Sequence, residues 1–382
     1  MKFAHMGDCH LGGWRQPELK ELNFLSFQHA IKKCIKEKVD FILIAGDLFD
    51  SAYPPIDILK ETFGEFRKLK EAGIPVFLIA GSHDYSVSGK SFLDVLSKAG
   101  FCKNVSVFEE RKGKIILQPT LYKNVAIYGY PGKKSGLEVE DIEKIKLQDS
   151  PGFFKILMLH TAISDAIPKL PVKSVDEKQL PRVNYLALSH LHINYEKENR
   201  IYSGPLFPNN ISELQELKAG SFYIFDNGKA RKEKVQLRDV YTLELEITNA
   251  LTATEEIISI LDNDNLKDKI VILKLYGTLE KGKSSDIDFA KIEDFARKNN
   301  AFAFLKSTSK LHLTEPEFKF NLSESLDLES QLIQKYEENN PSKYNYLVND
   351  LIRALQIEKL DDEKLAIFED RVISEANKTI KL

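Results

Sequence analysis

Five short stretches of the chain place carboxylate or imidazole side chains directly after apolar runs. They are Asp8-Cys9-His10, Gly46-Asp47, Gly81-Ser82-His83-Asp84, His160 and His190-Leu191-His192. A charge at the edge of a core is costly unless it is paired or coordinated. Imidazole and carboxylate together suit Mn, Fe or Zn better than Ca or Mg alone. In an extended segment, residues i and i+2 point the same way. Asp8 and His10 are therefore expected to face one locus, with Cys9 turned away, and His190 and His192 to do the same. Asp47, with two oxygens, could bridge two ions. Two metals roughly 3.5–4 Å apart can clamp a phosphoryl centre, one activating water and one stabilising the displaced oxygen. Each piece alone has a plainer reading: a capped strand end, a turn, a solvated pair, a satisfied core histidine. Five of the eight histidines falling at strand ends is what points to a two-metal site. His5, His29 and His312 are expected to be structural, and Cys9 to be a small buried residue.

The elements that must position these groups are legible as alternating patterns. "KFAHM", "DFILIA", "IPVFLIA", "KILMLH" and "NYLALSH" read as buried strands. Residues 21–38 and 56–73 carry apolar residues at helical spacing. The expected fold class is α/β: a two-layer mixed β-sandwich flanked by helices, over residues 1–236. Residues 237–320 read as strand-helix-strand-helix-strand, a small second α/β domain. Residues 321–382 read as a helical tail, with helices over 323–340, 343–360 and 361–380. Tyr344, Leu347, Leu351 and Leu355 are expected along one helix face, to be met by the rest of the chain or by a partner.

The 382 residues exceed one ordinary core, and 43% hydrophobic with 29% charged residues fits a globular chain. The net charge of -3 does not announce nucleic acid, though local patches can still bind phosphate. No stretch reaches membrane-span length, and three spaced cysteines make neither a disulfide framework nor a zinc site. A reduced, cytoplasmic protein is expected.

"GDCHLG", "GDLFD", "GSHD", "MLH" and "SHLH", in this order, resemble the calcineurin-like metallophosphoesterases. "HLG" after the first motif, "YSGP" after the last, a small second domain and a helical tail resemble more narrowly the SbcD-type and archaeal "meiotic recombination eleven" nucleases of DNA double-strand-break repair. The resemblance implies that Asp8, His10, Asp47 and His192 hold one manganese ion. It implies that Asp47, His160 and His190, with the residue at 82, hold a second. His83 would contact the scissile phosphate and protonate the leaving oxygen, with Asp84 orienting it. The implied reaction is phosphodiester hydrolysis, exonucleolytic on duplex ends and endonucleolytic on single strands. The second domain would cap the site and touch DNA, and the tail would bind the coiled coil of an SMC-like ATPase. Residues 56–73 and 91–99 would form a homodimer, with the protein acting at the nucleoid. Two positions depart from the pattern: Ser82 stands where the family has Asn, and Ser189 where it has Gly.

DNA contacts are less marked. Arg15 could meet phosphate, with Trp14 beside it to stack. The basic run 229–234 reads as a solvated strand edge or a backbone contact. A small-substrate phosphoesterase and a DNA-end-bridging scaffold with a weakened site are the competing readings.

Overall fold

The computed structural model describes residues 1–85, 91–167, 173–313, 333, 337–338, 341–358, 360 and 365–380. Two six-stranded sheets carry the architecture. The first runs β15 (Lys229–Val235), β14 (Gly220–Asp226), β1 (Lys2–Met6), β2 (Phe41–Ile44), β3 (Val76–Leu78), β4 (Lys103–Asn104). The second runs β12 (Asn194–Lys197), β13 (Arg200–Ser203), β11 (Tyr185–Ser189), β10 (Phe154–His160), β8 (Val125–Tyr130), β7 (Thr120–Tyr122). The central strands of both are parallel and the outermost pairs, except at β4, are antiparallel. This is the mixed two-layer sandwich expected.

Strand alternation sorts the side chains into layers. Phe3, Phe41, Phe77, Tyr185 and Met158 fill the space between the sheets. Ala4, Met6, Ile42, Ile44 and Leu78 pack outward with Phe27, Ile31 and Phe66. Phe27 and Ile31 lie on α1 (Pro17–Glu37), and Phe66 on α2 (Ile56–Glu71). Proline opens α1, and Lys38 closes it in the left-handed conformation. A short helix, α3 (Phe92–Lys98), starts with a Ser91–Asp94 capping box. A three-stranded sheet of β5 (Phe108–Arg111), β6 (Lys114–Leu117) and β9 (Ile145–Leu147), with the short helix α4 (Glu138–Ile142), covers the outer face of the second sheet.

Residues beyond 237 give the second pattern expected. A parallel sheet of β16 (Val240–Glu246), β17 (Ile270–Leu279) and β18 (Ala303–Leu313) is backed by α6 (Ala250–Asp262) and α7 (Phe289–Lys298). Its other face puts Ile270, Ile272, Ala303 and Leu305 against Trp14, Leu19, Leu22, Phe207 and Leu214, the last on α5 (Ile211–Leu217). Met1–Thr314 is accordingly one compact unit, and Glu315–Leu382 is a second.

In the second unit a single 3-10 turn, Asn345–Leu347, leads into α8 (Val348–Leu355), which packs on α9 (Leu365–Ile380). The expected helix over 323–340 falls almost wholly outside the described residues. The single helix face expected of Tyr344, Leu347, Leu351 and Leu355, to be met by the rest of the chain or by a partner, needs correction. Tyr344 and Leu355 are exposed, Leu351 is half-buried, and Leu347 is buried. The regular helix begins only at Val348, so the four residues do not share one helical face. No helix among the described residues is long and apolar enough to cross a membrane.

His5 has the packing role expected. It is fully buried, with Nδ1 3.0 Å from the Tyr185 hydroxyl. Burial lowers its pKa to about 3. The folded value lies below the unfolded one. Its contribution is therefore present above pH 6.5 and is lost as pH falls from there towards 3. Replacing His5 by Gln in chelator should cost about 2 kcal/mol more at pH 8 than at pH 5. Urea unfolding of both proteins at the two pH values measures this, and a pH-independent cost would contradict it.

Candidate metal centre

Asp8 and His10 follow β1, Asp47 follows β2, Ser82-His83-Asp84 follow β3, His160 ends β10, and His190 and His192 follow β11. These strands are neighbours within their sheets, so their carboxyl ends open on one crevice. The segments are not extended there. Asp8, His10, Asp47, His190 and His192 all have positive φ, between 42° and 106°. The same-side argument for residues i and i+2 therefore does not apply: a left-handed turn at each ligand aims it. Main-chain bonds zip the turns together, from Asp8 N to Gly46 O (3.1 Å) and from His10 N to Asp47 O (3.0 Å).

Among the described residues three groups of donor atoms result, Asp8 with His10 and His192, Asp8 with Asp47 and His160, and His10 with Asp50 and His83, each within 4.8 Å. In the first, the His10 and His192 Nε2 atoms face each other at 3.1 Å. Both Nδ1 atoms are turned to carboxylates: His10 to Asp50 Oδ1 at 3.1 Å, His192 to Glu213 Oε1 at 2.9 Å. A carboxylate accepts, so each Nδ1 carries a proton and each ring turns its Nε2 to the other. Two ring nitrogens this close, with Asp47 Oδ2 3.6 Å from the His10 Nε2 and Asp8 Oδ1 3.9 Å from the His192 Nε2, are bridged by a proton or suit a cation between them.

The second cluster repeats the arrangement. His160 Nδ1 donates to Ser189 Oγ (2.8 Å), whose hydroxyl bonds to the Ala45 carbonyl. Its Nε2 then faces Asp47 Oδ2 at 3.2 Å and His190 Nδ1 at 3.3 Å. Asp47 Oδ2 thus stands between His10 and His160. The Ser189 side chain is accommodated because residue 7 is Gly: a Cβ there would lie 2.6 Å from Ser189 Cβ. Gly46, at φ +105°, likewise leaves room for His160, whose Nδ1 would be 2.4 Å from an added Cβ.

The electrostatics follow from this crowding. Burial disfavours ionised Asp47, but the imidazoles of His160 and His10 and the His83 N–H outweigh it and hold the carboxyl well below its usual range. Burial disfavours the imidazolium of His160, yet Asp47 and Asp8 raise its pKa to about 9. His192 is raised to about 9 against burial by Asp8 and Glu213. In the metal-free chain a proton on an imidazole offsets the buried carboxylates. A divalent ion does so without placing a proton between ring and carboxylate. The donor set therefore fits a centre of N and O ligands for divalent transition ions.

The other residues singled out divide. Ser82 donates to Asp47 Oδ2 at 3.3 Å, so its hydroxyl lies beside the second cluster. His83 is half-exposed at the mouth of the crevice, its ring 4.6 Å edge-on from His10. Asp84 does not orient it. That buried carboxylate accepts from the Leu48, Phe49 and Gly81 N–H groups at 3.1–3.2 Å, pinning the loops after β2 and β3. His83 Nδ1 turns instead to the Asp50 carbonyl at 2.9 Å. Trp14 cannot stack on a base. It is 7% exposed, packs beside Phe207, and its indole N–H bonds to the Pro208 carbonyl. Arg15 is exposed. Cys9 is fully buried, as expected, and burial with the nearby carboxylates pushes its thiol pKa up.

Sequence reasoning passed over Asp50 and Glu213. Asp50 closes the quoted "GDLFD" and could have been tested as a histidine partner. Glu213 carries only the Asn210-x-x-Glu213 signature of a helix start, which says nothing of His192. Removing such an orienting partner typically costs 10–100-fold in metal affinity. Glu213→Ala should therefore weaken divalent-metal binding through His192 by about that factor. Titration calorimetry checks this, and unchanged affinity at both sites would contradict it.

The model of the calcineurin-like phosphoesterases matches residues 1–194. The chain is similar to the "DNA double-strand break repair protein Mre11" of Methanococcus maripaludis, at 29% identity over 65% of this chain and 70% of that protein. It is similar to the protein of the same name in Methanocaldococcus jannaschii, at 28% identity over 77% of each chain. It is also similar to the "Uncharacterized metallophosphoesterase YhaO" of Bacillus subtilis, at 29% identity over 56% and 55%. With the family matched over the first half of its length, the chain belongs to the calcineurin-like phosphoesterases and is a metal-dependent phosphoesterase.

Proposed function

We propose that this chain is a two-manganese DNA nuclease of double-strand-break repair. It would cut phosphodiester bonds exonucleolytically at duplex ends and endonucleolytically in single strands. The observation that carries the reading is the pair of imidazole sets gathered around Asp47, with an exposed imidazole beside them. Asp8, His10, Asp47 and His192 would hold one ion, and Asp47, His160 and His190, with Ser82 nearby, the other. When bound, such ions activate a water and stabilise charge on the phosphoryl oxygens.

The remaining work falls to the chain. His83 donates its Nδ1–H to the Asp50 carbonyl, which leaves Nε2 free on the exposed side of the ring. As the imidazolium, with its second proton on Nε2, it would contact the scissile phosphate and give that proton to the leaving oxygen, which returns the ring to its neutral Nδ1–H form. Asp84 keeps the loops bearing Asp47 and His83 at fixed separation. Asp47 Oδ1 also takes the His83 main-chain N–H at 2.8 Å, so bridging ligand and acid are linked directly.

DNA as the substrate is supported by the printed names of the archaeal relatives. Exposed Arg15, near the first motif, suits a phosphate contact. Strand β15 presents exposed Lys229, Lys232 and Lys234, whereas Arg231 is engaged with Glu233 and Glu37. The 237–320 segment would serve as the capping domain. The tail, with exposed Tyr344 and Leu355, would meet an SMC-like coiled-coil ATPase, and exposed Ile56 and Val95 suit a homodimer through α2 and α3. The site of action would be the nucleoid.

The test is cleavage of an end-labelled linear duplex with Mn²⁺ or with EDTA. Shortening that needs Mn²⁺ is expected. His83→Ala should slow it by roughly 10²–10⁴-fold while manganese binding stays intact. No shortening with Mn²⁺, even with the ATPase and ATP present, would overturn the nuclease reading. Tight DNA binding without cleavage would favour the scaffold instead.

A further inference from the structure

We infer that Ser189 is a positioning residue: it crosses the seam between the two large sheets, enters the space left by Gly7, and aims His160 at the second ion. This rests on the metal-centre reading above. The first sheet carries Asp8, His10, Asp47 and Ser82 at its strand ends, and the second carries His160, His190 and His192. How the sheets meet there sets the separation of the two ligand sets. Ser189 ends β11 in the second sheet, whereas Gly7 and Ala45 follow β1 and β2 in the first. Ser189 is fully buried. It pairs with His160 across β10 and β11, so the two side chains leave the same face of the sheet. Its Oγ lies 2.8 Å from His160 Nδ1 and also bonds to the Ala45 carbonyl. A carbonyl only accepts, so the hydroxyl proton points to Ala45 and the oxygen accepts from His160. Ala45 O is itself 3.2 Å from the same Nδ1. Both acceptors hold a proton on Nδ1 and turn Nε2 towards Asp47 Oδ2, 3.2 Å away.

The space for this hydroxyl depends on residue 7. Gly7 does not have positive φ, so its own backbone would admit an alanine. The neighbour forbids one: an added Cβ would lie 2.6 Å from Ser189 Cβ and 2.9 Å from its Oγ. The backbone cannot drift aside to make room. A bridge between Gly7 and Pro205 ties the sheets at this point, and the next residue bonds to Gly46 O at 3.1 Å. On the far side, His190 N–H donates to both Asp8 oxygens at 3.0 and 3.1 Å. One of the two positions can carry a side-chain carbon, but not both. The family pattern has glycine at 189; here the glycine stands across the seam, at 7, and the serine brings a hydroxyl to the back of a metal ligand.

Ser189→Ala keeps the carbon in the gap and removes only the hydroxyl. Titration calorimetry with Mn²⁺ on the whole chain should then show one binding step weakened roughly ten-fold and the other unchanged. The weakened step should differ from the one that Glu213→Ala weakens, a split that general loosening of the fold would not produce. Gly7→Ala alone should lower the midpoint of urea unfolding in chelator. Combined with Ser189→Gly it should cost little, because the two carbons no longer meet. This exchanged pair fills the gap without a hydroxyl, so it should repeat the loss of affinity even where Ser189→Ala misfolds. Unchanged affinity at both steps in Ser189→Ala and in the exchanged pair would overturn the positioning role. An equal cost of Gly7→Ala with and without Ser189→Gly would overturn the dependence on Gly7. Absence of manganese binding in the natural protein would instead overturn the metal centre itself, while the unfolding measurements in chelator would still report on the seam.

Discussion

Buried carboxylates and lone pairs cannot be crowded together without positive charge, and this chain crowds them. Asp8 and Asp47 are 1% exposed, and four imidazoles converge on them with nitrogen pairs 3.1 and 3.3 Å apart. Outer acceptors fix the protons of three rings. Asp50, Glu213 and Ser189 each take an Nδ1–H and so leave an Nε2 to face inward. The gap is one that only protons or cations can fill. Much else in the fold serves to hold this arrangement in place.

The holding is done largely by backbone. Five of the ligand residues are in the left-handed region, where a non-glycine residue costs on the order of 1–3 kcal/mol. A strain repeated at neighbouring turns persists only if the surroundings over-determine it. Here the parallel strands β1, β2 and β3 bring the turns side by side, the main-chain bonds between residues 8–11 and 46–48 lock them, and Asp84 clamps a third turn to the second. Gly81 completes the packing: an added Cβ would lie 2.2 Å from Asp47 Oδ1. The two apolar layers on either face of the first sheet supply the rigidity that these turns draw on.

The strands and helices were legible because their burial is strict. β1 falls on "KFAHM" and β11 within "NYLALSH", and α1 and α2 lie within a few residues of their apolar periods. The region from 103 to 147 was not read strand by strand. Its β4, β5, β6, β7 and β9 are two to four residues long, too short for alternation to register. The ligand types were visible at strand ends, but their geometry was not, since left-handed turns leave no periodic trace. Trp14 beside Arg15 read as a loop pair because the sequence does not announce that the 240–313 sheet covers it. Asp84 read as a partner of His83 from adjacency alone, whereas its hydrogen bonds run to main-chain groups 35 and 36 residues away. Long-range partners of this kind, like Glu213 on His192, carry no local signal.

Serine at 82 and at 189 bears on how the second cluster works. Ser189 adds a hydroxyl behind His160, and Ser82 offers a short donor beside Asp47. The measurement that meets the central claim most directly is anomalous diffraction at the manganese edge from crystals grown with Mn²⁺. The account predicts two peaks sharing Asp47, one at the His10 and His192 Nε2 atoms and one at His160 and His190. No peak in this crevice, with manganese bound elsewhere or nowhere, would contradict it.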